Sequence, residues 1–147
     1  MLLAGQGERF TTVDLFLLDL WTGKASLDKL GAAGSYLMQA EGLSLLGGDA
    51  LPLGILENVE SGEKLMQLHQ GDTLILLSDG VEDAYENRQA MEETIRDALT
   101  LETAQDAANA ILTGAQSGDT APADDQTVLV LRLIRARVDA KIEEMYQ

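Results

Sequence analysis

The sequence predicts an α+β fold, a largely antiparallel sheet whose one side is covered by two C-terminal helices. Three observations carry that prediction. Short apolar runs separated by Gly-, Asp- and Pro-containing turns fill the chain up to Leu77. From Met91 onward the apolar spacing becomes helical, and from Val128 it returns to that of a strand. Strands, then helices, then a strand is the pattern of helices segregated to one side of a sheet. A chain of 147 residues is long enough for one domain with its own core.

In chain order, residues 10–20 read as the first strand, apolar on both faces apart from Asp14 and Asp19. Asp19 caps the following Thr22-Gly23 turn with its side chain. Asp14, in mid-strand, reads as a hydrogen-bonded polar group at a sheet face. Residues 25–30 return as a half-exposed strand carrying Asp28 and Lys29. Gly31 to Ser35 form a small, glycine-rich loop whose backbone N–H groups could approach an anion. The loop lacks the spacing of a nucleotide fingerprint, so tight strand packing is the stronger explanation. Residues 36–39 and 43–45 form a hairpin around Glu41-Gly42. Pro52 makes residues 51–56 an edge strand, residues 57–62 a polar loop, and 64–68 a further strand.

Next comes Thr73-Leu-Ile-Leu-Leu77, a run buried on both faces and entered through the turn Gly71-Asp72. Met91, Ile95, Ala98 and Leu99 share one helical face opposite charged residues, among them Glu92 and Glu93, which read as a solvated surface. Thr100 is the expected cap of a second helix, with Glu102 in its first turn. Ala104, Ala107, Ala108, Ile111 and Leu112 form its narrow packing stripe, and Gly114 and Gly118 end it. Residues 128–138 are the closing strand, again buried on both faces. Val138, Ile142 and Met145 give the tail 139–147 a helical spacing.

Ten basic and twenty-five acidic residues give a net charge of −15. That argues against nucleic acid or an anionic membrane surface as a partner. There is no cysteine, which fits a reducing compartment. No apolar stretch approaches a membrane span and nothing resembles a signal peptide. The expectation is a cytoplasmic chain. The single histidine, His69, stands beside a turn and is assigned no role.

The chemistry lies at the ends of two strands. After Leu77 the chain reads Ser78-Asp79-Gly80-Val81-Glu82-Asp83, and before Val128 it reads Asp124-Asp125-Gln126-Thr127. Taken alone, Asp79-Gly80 is most simply a turn. The second acidic cluster changes that balance. If the two strand ends meet, Asp79, Asp83, Asp124 and Asp125 form an oxygen-only pocket, the donor set that Mg²⁺ or Mn²⁺ requires.

These two motifs resemble the last two metal motifs of the PPM-type metal-dependent serine/threonine phosphatases. Phe10-Thr-Thr-Val-Asp-Leu15, Asp19-Leu-Trp-Thr-Gly-Lys-Ala25, Gly31-Ala-Ala33 and Leu51-Pro-Leu-Gly-Ile-Leu56 are similar to the phosphatase domain of the stage II sporulation protein E family. The resemblance runs over about residues 8 to 135, in the family's order, and matches its C-terminal part. It implies a four-layer α/β/β/α sandwich, here truncated. Residues 1–138 would be a partial phosphatase domain and 139–147 a tail. The family's first Asp-Gly metal motif has no counterpart between Met1 and Phe10.

The resemblance also implies function. It points to hydrolysis of phosphoserine or phosphothreonine on a protein by two Mn²⁺ or Mg²⁺ ions, with no catalytic residue separate from the metal ligands. Asp79, Gly80 and Asp124 match the metal site, and Asp83 matches a position that binds a further metal in some relatives. Asp125 matches a position that orients ligands, and Gly54 lies at the substrate rim. The implied substrate is a phosphorylated anti-sigma-factor antagonist, the setting sporulation, and the parent protein membrane-anchored through other segments. Exposed sheet edges imply a homo-oligomer. Without its first motif, the chain alone is expected to be an impaired enzyme. A regulatory or interaction domain that keeps the scaffold without catalysis is the alternative.

Overall fold

A computed structural model describes residues 12–30, 33–47, 63–117 and 124–134. They form two antiparallel sheets with helices packed on the outer side of the second. The first sheet has the order β1 (Val13–Leu18), β2 (Lys24–Leu30), β5 (Lys64–Gln67). The second has the order β4 (Gly42–Leu46), β3 (Ser35–Gln39), β6 (Thr73–Leu77), β7 (Val128–Arg132). The α+β class, with antiparallel sheets and C-terminal helices, is as the sequence predicts.

The β1–β2 turn forms as the sequence indicates. Asp19 Oδ1 accepts hydrogen bonds from the Trp21 and Thr22 amides at 2.8 and 3.2 Å. The Trp21 bond first, then that of Thr22, holds the Asp19 carboxyl below its ordinary value. Gly23 has φ +72°, and a Cβ there would collide with the Leu68 carbonyl, so the turn needs glycine.

One expectation for this sheet is corrected. Lys29 is 1% exposed rather than half-exposed. It shares strand parity with Ala25 and Leu27, so the pleat turns all three inward. Its ammonium group is tolerated there because Asp14 stands opposite in the ladder, with carboxylate oxygens at 2.7 and 2.8 Å. Lys29 also donates to the buried Ser35 Oγ at 2.8 Å, which ties the two sheets together. Strand β1, apolar on both sides, is covered on one side only among the described residues. Asp14, Phe16 and Leu18 turn inward, whereas Leu15 and Leu17 are exposed.

The second sheet is the more enclosed. Strand β6 is central, with Ile75 fully buried. The β3–β4 hairpin forms as expected, but its turn is Ala40-Glu41 and Gly42, with φ +126°, is the first residue of β4. Strand β7 lies at the sheet's edge and leaves Leu129 exposed, which corrects its reading as a strand buried on both faces.

Helix α1 is one turn, Asp79–Glu82. Helix α2, Arg88–Ala98, buries Met91, Ile95 and Ala98, the face its spacing predicts, and Asn87 caps it by accepting from the Ala90 amide. Helix α3, Ala104–Gln116, is capped by Thr103, not Thr100. Thr103 Oγ1 accepts from the Asp106 amide and donates to the Asp106 carboxylate, a reciprocal arrangement that Thr100 cannot make with Glu102. Thr100 Oγ1 instead donates to the Asp97 carbonyl and finishes α2.

Gly114 does not end α3 but lies inside it. A Cβ there would come within 2.5 Å of the Tyr85 hydroxyl, which donates to the Ile111 carbonyl at 2.7 Å. Both helices pack on β3, β6 and β7 through a core of Tyr36, Ile75, Leu77, Met91, Ile95 and Ile111. Ala25, Leu37 and Leu68 form a second core between the sheets. His69 is exposed, as expected, and its amide donates to the buried Asp72 carboxylate. The readings of residues 51–62, Gly54 among them, of Gly118 and of the tail lie outside the described residues.

Candidate metal centre

The antiparallel pairing of β6 with β7 sets Leu77 opposite Val128. The end of one strand and the start of the other therefore share one edge, and the acidic motifs attached to them must meet there. Ser78 joins them. Its amide donates to the Thr127 carbonyl at 3.0 Å. Its Oγ accepts from the Thr127 amide at 2.9 Å and donates to the Asp125 carbonyl at 3.1 Å. The Gln126 side-chain amide donates to the Gly80 carbonyl at 3.1 Å.

Gly80 shows how close the approach is. A Cβ at this position would lie 2.5 Å from the Asp125 carbonyl oxygen and 3.2 Å from the Asp124 carbonyl carbon. Only glycine lets the two backbones touch in this way. Gly80 is buried, whereas Asp79, Asp83, Asp124 and Asp125 are all exposed.

Asp79 opens α1, and its Oδ1 accepts from the Gly80 amide at 2.9 Å. Asp83 follows one turn later on the same helical face, its amide bonded to the Asp79 carbonyl at 2.8 Å. Asp124 Oδ1 accepts from the Asp125 amide at 2.7 Å. Asp125 meets the first motif through its backbone carbonyl rather than its carboxylate. Asp14 is committed to Lys29, with both carboxylate oxygens on its ammonium group. The glycine-rich loop also contributes, since the Gly34 amide donates to Glu82 Oε2 at 3.1 Å. Ser78, Gln126 and Glu82 were not singled out from the sequence. The serine directly before Asp79 and the glutamine inside the second motif were the available signals.

Among the described residues there is no group of three or more His, Cys, Asp or Glu side chains placed to hold a metal ion. Two carboxylate motifs pressed together across Gly80 offer oxygen donors only. That set fits one hard cation completed by water, because Mg²⁺ is commonly held by one or two carboxylates. A clamp of two cations needs more ligands than these.

Comparison with known proteins agrees with this architecture. The profile of the family described as stage II sporulation protein E (SpoIIE) matches residues 1–134. Stage II sporulation protein E of Priestia megaterium is 32% identical over 74 residues, covering 50% of this chain and 13% of that protein. The phosphatase domain of SpoIIE from Bacillus subtilis superposes with a TM-score of 0.69 at 23% identity, covering 88% of this chain and 59% of that one. The catalytic domain of the serine/threonine protein phosphatase PstP, solved with two manganese ions, gives a TM-score of 0.72 at 21% identity, covering 86% and 60%. The chain thus spans about three fifths of the solved domains that it matches. Its fold is that of a PP2C-type phosphatase domain, and the chain belongs to the stage II sporulation protein E family.

Proposed function

We propose that this chain is the C-terminal part of a metal-dependent phosphatase acting on phosphoserine or phosphothreonine in a protein. The observation that carries this reading is the contact of the two acidic motifs across Gly80 at one sheet edge. Asp79 and Asp124 would hold the cation, Mn²⁺ or Mg²⁺, with Asp83 beside them. When bound, the cation supplies charge neutralisation for the phosphate and a lowered pKa for water. The protein's own part is to orient. Ser78 and Gln126 fix the two loops to each other, and Gly80 removes the side chain that would force them apart. The Asp125 backbone lies in that junction, which fits a role in setting the angle of Asp124.

The family supports a substrate of the anti-sigma-factor-antagonist type, a small phosphoserine protein, in a cytoplasmic sporulation setting. A net charge of −15 favours a substrate with basic residues around its phosphoserine. Among the described residues no helix is long and apolar enough to cross a membrane.

Calorimetric titration with Mn²⁺ tests the reading. Wild type should bind one cation, and Asp79→Asn and Asp124→Asn should each weaken binding without unfolding the chain, since relief of like-charge repulsion offsets lost contacts. Hydrolysis of p-nitrophenyl phosphate by the 147 residues should be feeble, and far faster in a longer chain that carries an upstream Asp-Gly motif. Unchanged Mn²⁺ affinity in both variants would overturn the assignment in favour of a non-catalytic domain.

A further inference from the structure

We propose that Glu82 is a positioning residue that anchors α1, and with it Asp79, to the β2–β3 corner. The proposal rests on the metal-site reading given above. Helix α1 has only four residues and no side-chain cap, because the Ser78 hydroxyl is used by Thr127 and Asp125. A single turn has little stability of its own and is held by its tertiary contacts. Three of those contacts are plain, the buried Val81, the close approach at Gly80 and the Gln126 bond to the Gly80 carbonyl. The fourth is the Glu82 carboxylate, which accepts from the Gly34 amide at 3.1 Å, across a separation of 48 residues.

In a helix of one turn the dipole is weak and Glu82 belongs to its first turn as much as to its last, so the Gly34 amide is the contact that distinguishes this glutamate. The donor is well fixed. Ser35, the next residue, is fully buried, with its Oγ bonded to Lys29. Leu45 Cδ1 closes the other side of Gly34, at 3.1 Å from where a Cβ would stand. A rigid N–H thus meets a side chain on a single turn whose other contacts hold Gly80 and Val81, so the Glu82 bond adds a restraint at the far end of α1. Asp79, three residues before Glu82, is aimed by that restraint.

The test uses the full 147-residue chain with Glu82→Ala, which removes the acceptor, and Glu82→Gln, which keeps it without the charge. Mn²⁺ affinity should fall about tenfold in Glu82→Ala, the usual scale for a group that orients a metal ligand. It should return to within about twofold of wild type in Glu82→Gln, a rescue that general destabilisation would not give. Without metal, hydrogen exchange at the Asp83 amide, which bonds to Asp79 within α1, should be faster in Glu82→Ala than in Glu82→Gln. Wild-type affinity in Glu82→Ala, or a loss in Glu82→Gln as large as in Glu82→Ala, would overturn the proposal. If wild type binds no Mn²⁺, the metal-site reading falls, and the exchange comparison alone decides whether Glu82 anchors the turn.

Discussion

The two sheets of this molecule carry equally apolar strands in different surroundings. In β6, five successive residues, Thr-Leu-Ile-Leu-Leu, lie between the helices on one side and the first sheet on the other, and four of the five are buried. In β1, Val-Asp-Leu-Phe-Leu-Leu has the same two-sided apolar character, yet Leu15 and Leu17 are 49% and 57% exposed. Leu65 on β5 is 78% exposed, and register places it in one row with Ser26 and Leu17. One apolar face is covered by α2 and α3, and the other is covered by nothing among the described residues. Sequence pattern reports which faces are suited to burial, whereas packing decides which are buried.

The largest test of this contrast is truncation on each side. Ile75→Ala empties a fully buried site beneath the helices and should cost about 2–5 kcal/mol. Leu17→Ala, on the open face, should stay within about 0.5 kcal/mol. Urea denaturation of both variants measures the difference. Equal losses would mean that the β1 face is covered in solution.

A second, smaller effect concerns association. An open apolar face and the β1 edge both favour pairing with a second copy, while the net charge of −15 opposes it. Salt screens that repulsion, with a Debye length of about 10 Å at 0.1 M. The weight-average mass by light scattering should therefore rise with salt in the wild type. In a Leu17→Lys, Leu65→Lys double variant it should remain that of a monomer. A monomeric wild type at high salt and high concentration would remove the association but leave the contrast between the sheets intact.

The legible parts of the fold were those with local causes. The Asp19 turn, the β3–β4 hairpin, strand β6 and the buried face of α2 each follow from residues within one element. The rest needed partners distant in sequence. Lys29 already shared its parity with Ala25 and Leu27, but Asp14, which makes its burial tolerable, is 15 residues away. Gly114 looks like a helix end until Tyr85 is placed against it. At the candidate site, the carboxylates were visible because both strand ends are acidic. Their meeting depended on β6 and β7 being neighbours, and the Glu82–Gly34 bond on a loop 48 residues away that has no matching local signal.

The smallest predicted effect divides two tyrosines on the helix-covered side. The Tyr36 hydroxyl is buried and has no hydrogen-bond partner among the described residues, whereas the Tyr85 hydroxyl donates to the Ile111 carbonyl. An unsatisfied buried hydroxyl is a cost, so Tyr36→Phe should be neutral or stabilising by up to about 1 kcal/mol, and Tyr85→Phe should be destabilising by about 1 kcal/mol. Burial raises the phenol pKa of both, with the charges of Glu92 and Glu82 adding to the shift at Tyr36. The folded state therefore keeps these protons after the unfolded chain has begun to release its own, near pH 10. Stability is intact below that pH and is lost as pH rises towards the raised folded values. Each Phe substitution removes one such group and should flatten the alkaline limb of a stability–pH curve. Urea midpoints measured between pH 8 and 11 separate the two effects. A Tyr36→Phe variant that is clearly less stable than wild type at pH 8 would mean that this hydroxyl does find a partner in solution.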